Sequence, residues 1–249
     1  MGFEKQLATR KNKQIYKDGD RVIKLFDQNY SKSDILNEAL NQARVEETGL
    51  SIPKIQEVTK IDGKWAIIMD YVKGTTLLDL MKQNPDKIDE YLNIFVDTQM
   101  EIHSKNAPLL TLLKDKMNKK ISASALEATN RYELHMRLEG MPKHTKVCHG
   151  DFIPSNIIIG DDGKITILDW AHATQGNASA DVARTYLTFK LKGEDKLAEK
   201  YLKLFCKKSD TAMQYVLEWL PIVAASQSVK GNPEEMEALL KWANIVDFE

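Results

Sequence analysis

The period of the apolar positions changes near residue 72. Before it, short apolar runs bounded by polar residues read as strands: Gln14–Tyr16, Arg21–Phe26, Ile55–Lys60 and Trp65–Val72. Asp18-Gly19 and Asp62-Gly63 stand between members of this set. Asp-Gly between extended runs predicts a hairpin, because both turn positions tolerate φ > 0. One helix interrupts the strands, with Ser31 or Ser33 as its cap, Ile35, Ala39, Leu40 and Ala43 as its apolar stripe, and Gly49 just past its end. After Gly74 the period becomes helical, first over Tyr91–Ser104. A second segment, Ile121–Leu138, sets Ile121, Ala125, Thr129, Tyr132 and Met136 on one face. Between residues 147 and 170 the chain reverts to strands. Helices then follow over 178–191, 194–208, 210–230 and 233–246. Asn232-Pro233-Glu234-Glu235 opens the last of these, and Pro221 is expected to kink or break the one before it. The layout predicts a small strand-rich N-terminal lobe over residues 1–72 and a larger helical lobe over 73–249, with the boundary at Met69–Gly74.

Composition narrows the function classes. The 249 residues carry 35 basic and 36 acidic side chains, so no net field recruits nucleic acid or an anionic membrane. With 43% hydrophobic and 29% charged residues the chain can build a sizeable core and is not of disordered composition. Two cysteines, Cys148 and Cys206, exclude a disulfide framework and a four-cysteine zinc site. The longest apolar stretch, Trp219–Ala225, falls far short of the about 20 residues of a membrane span. Met1–Arg10 lacks the apolar core of a signal peptide, so a cytoplasmic location is expected.

The stretch that carries chemistry runs Val147-Cys148-His149-Gly150-Asp151-Phe152-Ile153-Pro154-Ser155-Asn156. It continues through Ile157-Ile158-Ile159 and a turn at Asp161-Asp162-Gly163-Lys164 to Ile167-Leu168-Asp169-Trp170. A turn centred between Asp162 and Gly163 sets Asn156 opposite Asp169, about 5 Å apart. A bulge would shift that register by one. An amide oxygen and a carboxylate so placed make two ligands for a hard cation such as Mg²⁺. Asp151, on the loop entering the hairpin, can accept a proton from an alcohol attacking a metal-bound phosphate. One base followed by two metal ligands is what phosphoryl transfer needs.

His149-Gly150-Asp151, Asn156 and Asp169-Trp170 together resemble the signature of the aminoglycoside phosphotransferase and choline kinase group. Protein kinases carry His-Arg-Asp and Asp-Phe-Gly instead. The resemblance implies a bilobal, protein-kinase-like α+β fold, with a small antiparallel-sheet N-lobe holding one helix and a mainly helical C-lobe. It makes Asp151 the catalytic base, Asn156 and Asp169 the Mg²⁺ ligands, and His149 the support of the loop. It also implies that Lys24, in Val22-Ile23-Lys24-Leu25-Phe26, contacts the α- and β-phosphates and that Glu38 pairs with it. Backbone groups of Asp70, Tyr71 and Val72 would hydrogen-bond adenine. Ile102-His103 and Asp181 resemble the family's helix-ending pair and its downstream structural Asp. Where the family usually has a small or Gly-rich phosphate loop, the chain reads Arg10-Lys11-Asn12-Lys13-Gln14, and basic side chains can substitute for glycine electrostatically.

The activity so implied is transfer of the γ-phosphoryl group of ATP or GTP, with Mg²⁺, to a hydroxyl of an aminoglycoside- or choline-like small molecule. The alternative is a degenerate, kinase-like nucleotide-binding regulatory module. The missing glycines favour the module, and the intact Asp151, Asn156 and Asp169 favour the enzyme. A monomer or homodimer is expected, with neither nucleic acid nor membrane as partner. Residues 105–146, where the family builds part of its acceptor site, hold nine basic and four acidic side chains. That excess weighs against a polycationic acceptor, unless the lysines only line solvent-facing helix sides. Cys148 reads as a small buried residue and His103 as a satisfied helix-end histidine.

Overall fold

The computed structural model describes residues 3–10 and 12–245. Lys11 of the expected phosphate loop and residue 246 at the expected end of the last helix lie outside the described residues. Strands β1 (Lys5–Arg10), β2 (Lys13–Asp18) and β3 (Arg21–Phe26) lead to α1 (Lys32–Glu46), β4 (Ile55–Ile61), β5 (Lys64–Asp70), β6 (Thr75–Thr76) and α2 (Leu77–Gln83). Then come α3 (Ile88–His103), α4 (Leu113–Ala123), α5 (Ala128–Gly140), β7 (Lys146–Cys148), β8 (Ile157–Ile159), β9 (Ile165–Ile167) and β10 (Thr174–Gly176). The chain closes with α6 (Ala178–Leu191), α7 (Asp195–Ser209), α8 (Met213–Leu217), α9 (Leu220–Ser228) and α10 (Pro233–Ala243). None of these helices is long and apolar enough to cross a membrane.

Contacts divide the chain into two compact units. The first runs to Lys87 and takes in Pro154–Ala173; the second holds Ile88–Ile153 and everything from Thr174 on. The β8–β9 hairpin joins the first unit because β6 pairs with β8. A division at residue 72 therefore follows order along the chain rather than contact.

In the first unit the sheet runs β1-β2-β3-β5-β4 and is antiparallel throughout. Alternation along β3 and β5 sorts the side chains. Val22, Phe26, Ile67 and Met69 pack with Ile35 and Ala39 of α1. Ile23, Leu25, Ala66 and Ile68 take the other face with Phe3, Tyr16 and Ile61. Lys24 falls between Val22 and Phe26, on the α1 face, and is only 6% exposed. A cation persists in such a place only with a partner. Asp62-Gly63 makes the expected hairpin turn with both residues at positive φ, whereas in the β2–β3 hairpin Asp18 pairs with Arg21 and the turn residues are Gly19 and Asp20. Strand β1 was not among the expected strands, because its apolar residues, Leu7 and Ala8, are neighbours and do not alternate with polar ones. The stripe of α1 also differs from expectation. Leu40 is 47% exposed and Ala43 is exposed, whereas Glu38, Asn41, Gln42 and Val45 are buried. The buried face is part polar because those side chains find partners, as Gln42 does at the Pro53 carbonyl, 2.7 Å away.

In the second unit Phe95 stacks on Phe152 with ring centres 4.5 Å apart, and Phe189 and Tyr201 close the cluster. The helix expected over Ile121–Leu138 is two helices. The Ser124 hydroxyl bonds the Ile121 carbonyl at 2.7 Å and closes α4. Tyr132 and Met136, expected on the buried face, are exposed. The segment 210–230 breaks into α8 and α9, with Pro221 in the first turn of α9 as expected.

Candidate active site

One group of candidate residues belongs to the first unit. Lys24 Nζ lies 2.5 Å from Glu38 Oε1 and 3.2 Å from Asp169 Oδ1. Burial alone would push the Lys24 pKa down, but the Asp169 and Glu38 carboxylates more than reverse this and raise it. The β2–β3 register sets Lys13 opposite Phe26, on the same face as Lys24. Its ammonium reaches 3.5 Å from Glu38 Oε2 and 4.0 Å from Asp169 Oδ1. Burial, and then the charge of Lys24, lower the Lys13 pKa. Lys13 is thus one basic side chain of the glycine-free loop segment that reaches the Lys24–Asp169 group.

The β8–β9 register is one residue off the expected one. Ile157 pairs with Ile167, so Asn156 stands opposite Leu168, whose amide donates to the Asn156 carbonyl at 2.8 Å. The turn is a three-residue loop, Asp161-Asp162-Gly163, closed by Gly160 N–H to Lys164 O at 2.9 Å, with Gly163 at φ 79°. A left-handed glycine at the end of such a loop is the bulge that shifts register by one. Asp169 then leaves the ladder in a left-handed conformation, φ 62° and ψ 68°. Buried Trp170 anchors this bend through Nε1–H to the Ile167 carbonyl, and Asn41 of α1 donates to the Ala171 carbonyl. The expected adenine contacts also narrow. The amides of Asp70 and Tyr71 already donate to Lys54 O and Asp20 O, which leaves Val72 as the backbone donor in that segment.

A second group of candidate residues lies in the second unit. Asp181, at the start of α6, accepts hydrogen bonds from the amides of His149 (3.1 Å) and Gly150 (2.7 Å) and from His103 Nε2 (3.0 Å). Burial would raise the Asp181 pKa, but the hydrogen bonds from His103 and from the Gly150 amide hold it below the usual carboxylate range. An ionised carboxylate only accepts, so His103 Nε2 is the donor. His149 is fully buried, and its Nδ1 accepts the Asp151 amide at 3.2 Å. Gly150 sits at φ 76°, which the turn into Asp151 requires. Phe152 plugs into the aromatic cluster on the other side. The loop is thus pinned before and after Asp151, whose side chain stays 29% exposed with Arg184 Nη2 at 3.4 Å from Oδ1.

No three His, Cys, Asp or Glu side chains cluster as metal ligands among the described residues. An Asn–Asp pair nevertheless suits Mg²⁺, which takes one or two protein carboxylates and completes its shell with phosphate oxygens and water.

A family model described as the phosphotransferase enzyme family matches residues 9–219. The chain belongs to that family. No curated protein matches its sequence. Among solved structures it resembles a thermostable mutant of aminoglycoside phosphotransferase APH(4)-Ia in apo form. That match has a TM-score of 0.69 and 16% identity, covering 96% of this chain and 92% of the other. Choline kinase LicA from Streptococcus pneumoniae gives a TM-score of 0.62 at 16% identity, covering 96% and 94%. A choline/ethanolamine kinase family protein from Mesorhizobium loti gives 0.59 at 14%, covering 96% and 83%. The fold is therefore the protein-kinase-like one.

In this member of the family the sequence reading did not include Arg184, which lies against Asp151. One signal could have found it: Arg184 follows Asp181, which resembles the family's downstream structural Asp, by three residues on α6, so the two share a helix face. The His103 reading holds at Nε2, although Nδ1 is buried without a partner among the described residues.

Two outcomes follow from these contacts. Asp181→Ala should cost about 3–5 kcal/mol in urea unfolding, because it strands His103 and two loop amides. The folded Asp181 pKa lies below its ordinary 3.8, so its contribution is present above that pH and is lost as the pH falls below it. The wild-type and Asp181→Ala stabilities should therefore converge in acid. For Lys24→Met, the loss of stability should be largely recovered by adding Glu38→Leu, which removes the stranded carboxylate. Phosphoryl transfer should stay impaired in the double variant. Recovered activity there would show that Lys24 serves folding only.

Proposed function

We propose that this phosphotransferase is a cytoplasmic enzyme that moves the γ-phosphoryl group of ATP or GTP onto a hydroxyl of a small molecule. The observation that carries the reading is the pinned Asp151 loop, since a module that only binds nucleotide has no use for a carboxylate held so firmly yet open to solvent. In the proposed step the acceptor oxygen forms a bond to the γ-phosphorus. The bond from that phosphorus to the β,γ-bridging oxygen breaks, and the nucleoside diphosphate leaves with the electron pair. Asp151 takes the hydroxyl proton, His149 and Asp181 keep its loop in place, and Arg184 orients the carboxylate.

Lys24, braced by Glu38, would hold the α- and β-phosphates, with Lys13 adding a second positive charge in place of a glycine-rich cradle. The Val72 amide would meet the adenine edge. Asn156 and Asp169 would hold Mg²⁺, which when bound neutralises charge on the transferred group. A related structure of a thermostable APH(4)-Ia mutant is a ternary complex with ADP and hygromycin B, which supports a nucleotide donor. The test is transfer of label from γ-labelled ATP and GTP to a panel of hydroxyl compounds in the presence of Mg²⁺. Tight Mg–nucleotide binding without transfer to any acceptor would favour the regulatory-module reading.

A further inference from the structure

Of the nine basic residues in the segment 105–146, several behave as solvent-facing lysines do. Lys119, Lys143 and Lys146 are exposed, and Lys114 pairs with Glu139 at 3.1 Å. Lys116 and Lys120 differ. They stand one helical turn apart on α4, and both are turned partly inward. Helix α9 packs against α4 and against α6, so Lys230, just past the end of α9, and Arg184 on α6 join them. Burial, and then the charges of neighbouring cations, push Lys116 down to about 7 and Lys120 and Lys230 each to about 8. Lys230 keeps much of its surface in water, so its depression is the one most softened by solvent.

Arg184 contacts Asp151, Lys230 feels the charge of Asp151, and Lys116 and Lys120 feel that of Arg184, so the four cations neighbour one another within the second unit. Carboxylates are scarce there. Asp181 is already engaged by His103 and the loop amides, and Glu235 acts only on Lys230 at longer range. Asp151 itself answers Arg184. Lys120 and Lys230 have no ion-pair partner among the described residues, and Arg184 Nε is buried without a hydrogen bond. Like charges held this close repel one another, and an anion that enters relieves the repulsion. A polycationic aminoglycoside or a choline head group would meet charge of its own sign.

We infer that the acceptor is an anion: a small molecule bearing a phosphate or carboxylate group beside the hydroxyl that Asp151 deprotonates, with Lys116, Lys120, Arg184 and Lys230 holding that group. The inference rests on the phosphotransferase reading and names its acceptor class. The same charges on a bound nucleotide are the rival explanation, and the experiment must separate the two.

The full chain is first titrated with Mg–ADP, which tests the phosphotransferase reading by itself. With Mg–ADP saturating, it is then titrated calorimetrically with inorganic phosphate, with malonate and with choline. The first two arms distinguish a phosphate from a carboxylate group. Saturable binding of phosphate or malonate, weakened at least tenfold in a Lys120→Gln/Lys230→Gln variant whose Mg–ADP affinity and thermal midpoint are unchanged, is the expected result. Three outcomes would overturn the inference while leaving the phosphotransferase reading intact. They are binding of neither anion to the wild type, equal anion affinity in the variant, or a loss confined to Mg–ADP affinity. Saturable binding of choline in place of the anions would also overturn it. Absence of Mg–ADP binding in the wild type would strike the phosphotransferase reading instead.

Discussion

Asp151→Asn should lower turnover by about 10² to 10⁴ while Mg–nucleotide affinity stays near wild type. Asparagine keeps the shape of the side chain and an oxygen for Arg184, but it is far too weak a base to take the acceptor proton. The loop should hold its place, because its pins do not use the Asp151 side chain: Asp181 grips the amides of His149 and Gly150, His149 grips the Asp151 amide, and Phe152 stacks on Phe95. Turnover with a coupled ADP assay and affinity from calorimetry give the two numbers needed. A loss of nucleotide affinity would move Asp151 into the metal shell. Unchanged turnover would remove it as the base.

Asp169→Asn should abolish the dependence of nucleotide affinity on Mg²⁺ and lower turnover by at least about 10², since a metal ion's charge stabilisation amounts to several kcal/mol. Asparagine is chosen because the position is left-handed, which Asn tolerates better than most residues, so the bend into Trp170 should survive. The substitution also weakens the 3.2 Å contact with Lys24, but Glu38 still holds that ammonium. Nucleotide titrations with and without Mg²⁺ read the effect. An affinity that still rises with Mg²⁺ as in the wild type would assign the metal to other residues.

Some of this site was legible because its signal is local. Asp151, Asn156 and Asp169 lie within nineteen residues of sequence, and their order and spacing single them out for the proposed chemistry whatever surrounds them. Lys24 and Glu38 needed one tertiary step, but strand alternation and the helix after it already limited the choice. The register of the β8–β9 hairpin was harder. Asp161-Asp162-Gly163 supports a two-residue turn and a three-residue loop almost equally, and only the packed chain decides between them. The polar buried face of α1 was hidden for a related reason. Hydrophobic period finds a buried face when apolar side chains line it, whereas Glu38, Asn41 and Gln42 are buried by virtue of partners far away in sequence.

By itself the sequence determined the class of protein, the two kinds of architecture along the chain, and the carboxylates and amide that suit phosphoryl transfer. Periodicity and fixed spacing are properties of neighbours in the chain, and they survive without knowledge of the fold. Only the tertiary structure decided that Lys13 joins the Lys24–Asp169 group and that Asp181 locks the Asp151 loop across more than thirty positions. It also decided that Lys116, Lys120, Arg184 and Lys230 act on one another, with Arg184 against Asp151. Charges from α4, α6 and the end of α9 act on one another through space and through burial, and neither distance nor desolvation is written in the order of residues.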